Sequence, residues 1–180
     1  MDVIIVNCGE IAHLSSGDVT KPISGHKMLD KDSLVYPKGK AILIKDGHIS
    51  SILDNDAIID EYIPWYVGGN IINNGYNIVD AGGNAITPGF VDSHNHLVWS
   101  GDRSNELSLR QSGNSYSDIA KLGGGIKKTV KKTRTSSFSQ LLSKANERLE
   151  IAIMHGTTTL EAKSGYGLCN ETEEIILKVI

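Results

Sequence analysis

Two histidines, His94 and His96, stand one residue apart just after Phe90 and Val91, a short apolar run entered through the turn-forming pair Pro88-Gly89. On a β-strand, side chains repeat every second residue, so both imidazoles leave the same side of the chain. Two imidazoles on one face can bind one divalent metal, with the remaining ligands drawn from elsewhere. Asp92 precedes them on that face and is placed to orient a ligand, as outer carboxylates do. The plainer explanation of a bare His-x-His is two solvated loop histidines. The Pro-Gly entry, the apolar pair and the aspartate favour the metal.

The elements that must carry this pair follow from periodicity and punctuation. Asp2–Asn7 reads as a strand, and residues 11 to 40, polar and rich in Gly, Ser, Lys and Pro, as a long surface excursion. Ala41–Ile44 and His48–Leu53 flank Asp46-Gly47, a strong hairpin signal. Asn77–Asp80 is another short strand, and Ile86–His96 reads as a buried parallel strand ending in polar residues. Residues 101–113 and 114–120 read as short helices, and Gly123–Gly125 as a break. Ser139–Met154 is the clearest helix: Leu141, Leu142, Ala145, Leu149, Ala152 and Ile153 recur at helical spacing, and Gly156 caps the end. Thr157–Ala162 is β-branched and reads as a second buried strand. Asn170 with Glu173 three residues later signals a helix start, followed by an apolar face of Ile175, Ile176, Val179 and Ile180.

Strand, helical excursion, strand, helix is the rhythm of an α/β barrel or a doubly wound sheet. The expected organisation is a β-rich subdomain over residues 1–85 and the first part of a metal-dependent barrel over 86–180. A β/α barrel needs eight strands and about 250 residues. With two candidate barrel strands and an unpaired apolar helix at the end, truncation is expected.

Composition narrows the function classes. The 180 residues carry a net charge of -3 and 39% hydrophobic residues, enough for a packed core. The balance gives no reason to expect a nucleic-acid or acidic-membrane partner. Cys8 and Cys169 are far apart, without zinc spacing, and fit a reducing compartment. The N-terminus is a poor signal peptide and no run reaches membrane length, so a cytoplasmic location is expected. Lys127, Lys128, Lys131, Lys132 and Arg134 form a basic cluster without interleaved aromatics, which reads as a solvated helix face. The triple glycine lacks the Lys-Ser/Thr of a phosphate loop. His13, His26 and His48 read as exposed, and His155 as a helix end rather than a ligand.

Asp80-x-x-Gly83 followed by Pro88-Gly89-Phe90-Val91-Asp92-x-His94-x-His96 resembles the entry to the amidohydrolase superfamily. Arg103, Leu109-Arg110-x-x-Gly113-x-Ser115-Tyr116, Gly123-Gly124-Gly125-Ile126, Thr129-Val130, Thr133-Arg134 and Glu161-x-Lys163-Ser164-Gly165-Tyr166-Gly167-Leu168 narrow the resemblance to the imidazolonepropionase family. It covers nearly all of residues 77–180. Ser93 and Asn95 depart from the Pro and Thr common in that family, at positions that supply no ligand.

The resemblance implies an incomplete amidohydrolase-type β/α (TIM-like) barrel behind a small β-rich subdomain, one zinc or iron ion, and hydrolysis of imidazolone propionate in histidine degradation. His94 and His96 would be metal ligands. Arg103 would take the substrate propionate, and Tyr116 and Tyr166 would line the pocket. The remaining histidine and aspartate ligands, the histidine that polarises the substrate carbonyl and the general base are expected in later barrel strands. No catalytic residue is assigned within the chain, and Lys163 is left without a role. A homodimer is expected of the full-length form. The alternatives are another cyclic amidohydrolase or a deaminase of the superfamily, or a non-catalytic fragment that pairs with a C-terminal half.

Overall fold

The computed structural model describes residues 2–13, 21–63 and 75–180. They fall into two compact units, Met1–Pro88 and Gly89–Ile180. Part of the predicted 11–40 excursion lies outside the described residues.

The first unit is built on a four-stranded sheet, ordered β5-β4-β1-β6. Its strands are β1 (Asp2–Cys8), β4 (Lys40–Lys45), β5 (His48–Asp54) and β6 (Tyr76–Asp80). Strand β1 pairs antiparallel with β4 and parallel with β6. The excursion holds β2 (Ile11–Ala12), a 3-10 turn at Gly25–Leu29, α1 (Lys31–Leu34) and β3 (Val35–Tyr36). A helix without a clear sequence signal, α2 (Asn55–Tyr62), covers one sheet face.

Alternation explains the two faces. Ile4 and Val6 of β1 pack with Ala41, Leu43, Ile58 and Ile63, while Ile5 joins Ile42, Ile44 and Ile52 on the other side. Cys8, an even position, nevertheless belongs to the second cluster. The β1–β4 register shifts between Ile5 and Cys8, and Asn7 takes φ 53, a bulge that turns the following side chain over. The hairpin turn has positive φ at both Asp46 (50) and Gly47 (75), as a primed two-residue turn requires. Ile86 packs in this unit, bridged to Ile11. His26 and His48 are exposed, and His13 stacks against Tyr36 at 4.8 Å.

The second unit holds a parallel pair, β7 (Phe90–Asn95) and β8 (Thr157–Ala162), joined by α3 (Asn105–Gln111), α4 (Tyr116–Lys121), α5 (Ile126–Arg134) and α6 (Phe138–Met154) and followed by α7 (Asn170–Val179). Helix α6 opens on a reciprocal Ser137–Gln140 cap and closes at Gly156, whose φ of 90 only glycine adopts without strain. Its Leu141 and Ala145 pack with Leu97, Val98 and Ile176 into the unit's core.

Three expectations need correction. Ile153, placed on the α6 core face, is 66% exposed; the buried stripe is narrower than the periodicity predicts. Strands β7 and β8 are not buried: Phe90 and Val91, adjacent and therefore on opposite faces, are 59% and 68% exposed, so neither face of the two-stranded sheet is covered at that end. Helix α7 is capped at Cys169 rather than Asn170, without a side-chain hydrogen bond, since Glu173 is occupied elsewhere. Among the described residues there is no closed barrel, and they form a mixed α/β arrangement.

Candidate active site

His94 is the last residue but one of β7, and His96 follows directly after the strand's end at Asn95. Their rings lie edge to face with centroids 5.6 Å apart, so both project to a common region as the period of two requires. The backbone there is fixed from two directions. Asn95 O accepts from the Lys163 N–H at 2.7 Å, extending the ladder to β8. Arg148 of α6 donates to the carbonyls of Leu97 and Trp99 at 2.8 and 3.0 Å and stacks 3.9 Å from the Trp99 ring. Burial pulls the Arg148 pKa down, yet two carbonyls and an indole face hold the cation there.

Asp92 acts on the main chain rather than on a ring. Its carboxylate accepts from the His94 N–H at 3.2 Å and the Asn95 side chain at 3.0 Å. It therefore shapes the turn under His94 and leaves the imidazole free. Glu161 of β8 and Lys163, one residue past its end, pair at 2.6 Å. Lys163 holds the Glu161 carboxyl below its usual range, with a smaller contribution from His94 nearby.

Tyr166 packs on this pair, its ring 5.0 Å from that of His96 and 6.4 Å from Trp99. Gly165 lets the loop approach: a Cβ there would sit 3.2 Å from Cε1 of His96. Arg103, at the entry to α3, has Tyr116 and Tyr166 as electrostatic neighbours. Tyr116 is the first residue of α4, fixed by a reciprocal Ser115–Asp118 cap. It is 52% exposed, so it is not a core residue.

A residue without an assigned role organises this side. Glu106, only 5% exposed, accepts from both Nε and Nη2 of Arg103, at 3.0 and 2.8 Å, on one oxygen. Its other oxygen accepts from the Gly125 N–H at 2.8 Å. The triple glycine thus has a physical reason. A Cβ on Gly124 would meet Glu106 Oε1 at 2.9 Å, and Gly125 takes φ 71 with Tyr116 Oη 3.2 Å from where its Cβ would be. Among the described residues nothing hydrogen-bonds to Nη1 of Arg103, so its Nη1–Nη2 edge still offers parallel donors. Arg103 holds the Glu106 carboxyl low, helped by the Gly125 N–H and opposed by burial.

Nδ1 of His96 is a buried side-chain nitrogen without a hydrogen-bond partner among the described residues. Leaving such a group unpaired costs about 1–3 kcal/mol, which coordination would relieve. No cluster of three or more His, Cys, Asp or Glu exists among the described residues. Two imidazoles fit a metal as half of a four-ligand site.

The amidohydrolase family profile matches residues 77–162. The strand-borne histidine pair and this match place the chain in the amidohydrolase superfamily. The imidazolonepropionase of Symbiobacterium thermophilum is 38% identical over 170 residues, covering 93% of this chain and 36% of the relative. That of Caldanaerobacter subterraneus subsp. tengcongensis is 38% identical over 179 residues, 99% of this chain and 38% of the relative. The probable imidazolonepropionase of Xenopus tropicalis is 41% identical over 157 residues, 82% of this chain and 36% of the relative. The chain belongs to the imidazolonepropionase family and spans between a third and two-fifths of the length of these relatives.

Sequence reasoning overlooked Glu106, Glu173 and Arg148. Arg103 and Glu106 stand at the helical i, i+3 spacing, a signal that was available. Glu173 accepts backbone N–H groups of Gly165, Gly167 and Leu168. Burial pushes its carboxyl up, but those donors and Ser164 outweigh it and hold it below the usual range.

Because the folded pKa values of Glu106 and Glu173 lie below the unfolded value of about 4.3, their contribution is complete above that pH. It is lost as pH falls through the lower folded values. Urea melts between pH 7 and 3 are expected to show stability falling below about pH 4.3, and less steeply in Glu173→Gln. A pH-independent midpoint would contradict both assignments.

Proposed function

We propose that the full-length form hydrolyses 4-imidazolone-5-propanoate to N-formimidoyl-L-glutamate, using one zinc or iron ion. Residues 1–85 would form a β-rich subdomain, and 86–180 the opening strands and helices of an amidohydrolase-type β/α barrel. His94 and His96 would hold the metal, together with ligands outside this chain. When bound, the metal supplies Lewis acidity that makes water a nucleophile near neutral pH. Water adds to the ring carbonyl carbon, the carbon–nitrogen bond breaks, the carbon becomes a carboxylate and the ring nitrogen gains a proton.

What this chain contributes is binding and orientation. The free edge of Arg103 suits the planar propionate carboxylate, which accepts two parallel hydrogen bonds. Tyr116 and Tyr166 offer ring faces to the flat imidazolone and phenol hydroxyls to its polar edge. Holding the ring against the histidine pair converts attack into a nearly intramolecular step. The observation that carries this reading is the guanidinium of Arg103, anchored on Glu106 and without a hydrogen bond on its Nη1 among the described residues, with both tyrosines within its electrostatic reach.

No helix of the described residues is long and apolar enough to cross a membrane. The test is an assay of the full-length form on imidazolone propionate, hydantoin and guanine. Turnover of the first alone, lost on chelation and restored by zinc or iron, is expected. Faster turnover of hydantoin or guanine would reassign the substrate class. The isolated 180-residue chain, with two ligands, is expected to hold metal weakly and to be inactive.

A further inference from the structure

The loop carrying Tyr166 is gripped on both polar sides of its backbone. Glu173 takes its N–H groups: Oε2 accepts from Gly165 at 2.8 Å, and Oε1 accepts from Gly167 and Leu168 at 2.7 Å each. Arg134 takes its carbonyls: Nε donates to Gly167 O at 2.6 Å and Nη2 to Leu168 O at 2.7 Å. Arg134 stays exposed, as Lys127, Lys131 and Lys132 of the basic cluster do, but its guanidinium also reaches the loop carbonyls. Five hydrogen bonds, all charge-assisted, fall on three residues, Gly165, Gly167 and Leu168.

Such a grip is needed because the loop is strained. Leu168 has φ 51 and Gly165 has φ 130, values that L side chains rarely adopt, and the carbonyl and N–H groups there have no ladder to pair with. Gly167 is tightly enclosed: a Cβ would stand 2.9 Å from Thr172 Cβ and 3.0 Å from Glu173 Oε1. Glu173 lies in the first turn of α7, which Ile176 anchors in the core with Leu141, so one end of the clamp is tied to the packed helices. Arg134 is the last residue of α5, whose Thr133 is fully buried and accepts from the Ser100 N–H at 3.0 Å.

We propose that Glu173 and Arg134 are positioning residues that fix the 164–168 loop so that the Tyr166 ring stands against His96. This rests on the functional reading above only for its catalytic consequence; the clamp itself is a property of this chain. A ring 5.0 Å from a metal-binding imidazole has no latitude, since a displacement of about 1 Å near the reacting groups can cost about a hundredfold in rate.

The test has two arms. In the 180-residue chain, Glu173→Gln replaces one acceptor oxygen by an amide that faces the same donors. Hydrogen exchange at Gly165, Gly167 and Leu168 is expected to speed up at least about tenfold while α6 amides keep their rates. The His96 ring-proton resonances should move toward their positions in Tyr166→Ala. Unchanged exchange at those three amides, or equal acceleration in α6, would overturn the clamp. Arg134→Met serves if Glu173→Gln does not fold, with the same expectations at Gly167 and Leu168.

In the full-length form, Glu173→Gln is expected to lower kcat/KM about tenfold or more, and to cost little further in a Tyr166→Ala background. Glu173→Asp should restore part of the loss. Equal losses in both backgrounds would show that Glu173 does not act through Tyr166. A wild-type enzyme inert toward imidazolone propionate would sink the proposed substrate, leaving the exchange arm to decide the clamp.

Discussion

Replacing His96 by Asn in the full-length form is expected to remove the metal and with it the activity, while leaving the fold intact. The expectation follows from where the ring sits. His96 is half-buried between Gly165 and Tyr166, and its Nδ1 lacks a hydrogen-bond partner among the described residues. A nitrogen left in that state is a cost in the metal-free protein, so relieving it offsets the ring packing lost and apo stability should change by less than about 1 kcal/mol. The loss on the metal side is large. Outer-shell partners of a ligand are already worth about 10–100-fold in affinity, and loss of the ligand itself should exceed that. His94 cannot compensate, since its ring is a single donor on the more exposed side of the pair. Metal content of the purified variant, with a thermal melt of the chelated forms, decides the matter. Full metal occupancy would remove His96 from the ligand set. A collapse of the apo melt would make it a packing residue.

Legibility in the sequence tracked how local the physics was. The hairpin at Asp46-Gly47 was readable because its two positive φ values are a demand that residue type alone satisfies. The histidine pair was readable because a strand's period of two holds regardless of its surroundings. Helix α6 announced itself through Leu141 and Ala145, but the width of its apolar stripe did not, since exposure of Ile153 depends on what the helix packs against. Burial of β7 and β8 was overestimated for the same reason: Phe90 and Val91 have the side chains of a covered strand, and only the sheet's neighbours determine whether cover exists. The organising carboxylates were the least readable. Glu106 and Glu173 resemble ordinary first-turn residues that complement a helix dipole. Their partners, the N–H groups of Gly125, Gly165, Gly167 and Leu168, are reached only through tertiary placement. The glycine-rich segments that carried the family resemblance turn out to be the other halves of those interactions.

In the full-length form, Arg103→Lys is expected to raise KM for imidazolone propionate by about tenfold or more, and Arg103→Met by about a hundredfold, with kcat changing far less. The reasoning begins with the division of labour within one guanidinium. Nε and one N–H of Nη2 are spent on Glu106, leaving the Nη1–Nη2 edge for a carboxylate. Two charge-assisted hydrogen bonds to the propionate contribute on the order of 3 kcal/mol, and each 1.4 kcal/mol is a factor of ten. Because the propionate is not the reacting group, that interaction is the same in ground and transition states, so its loss appears in KM. Lysine retains a positive charge beside Glu106 but cannot present two parallel donors, hence the smaller effect with the fold kept. Methionine leaves the Glu106 carboxylate with the Gly125 N–H as its remaining partner, so a lowered melting temperature should accompany its kinetic loss. A substrate analogue in which the propionate is a neutral amide separates the two effects: the wild type should discriminate strongly against it, and both variants weakly. If the wild type does not discriminate, the carboxylate is bound elsewhere and Arg103 serves only to neutralise Glu106.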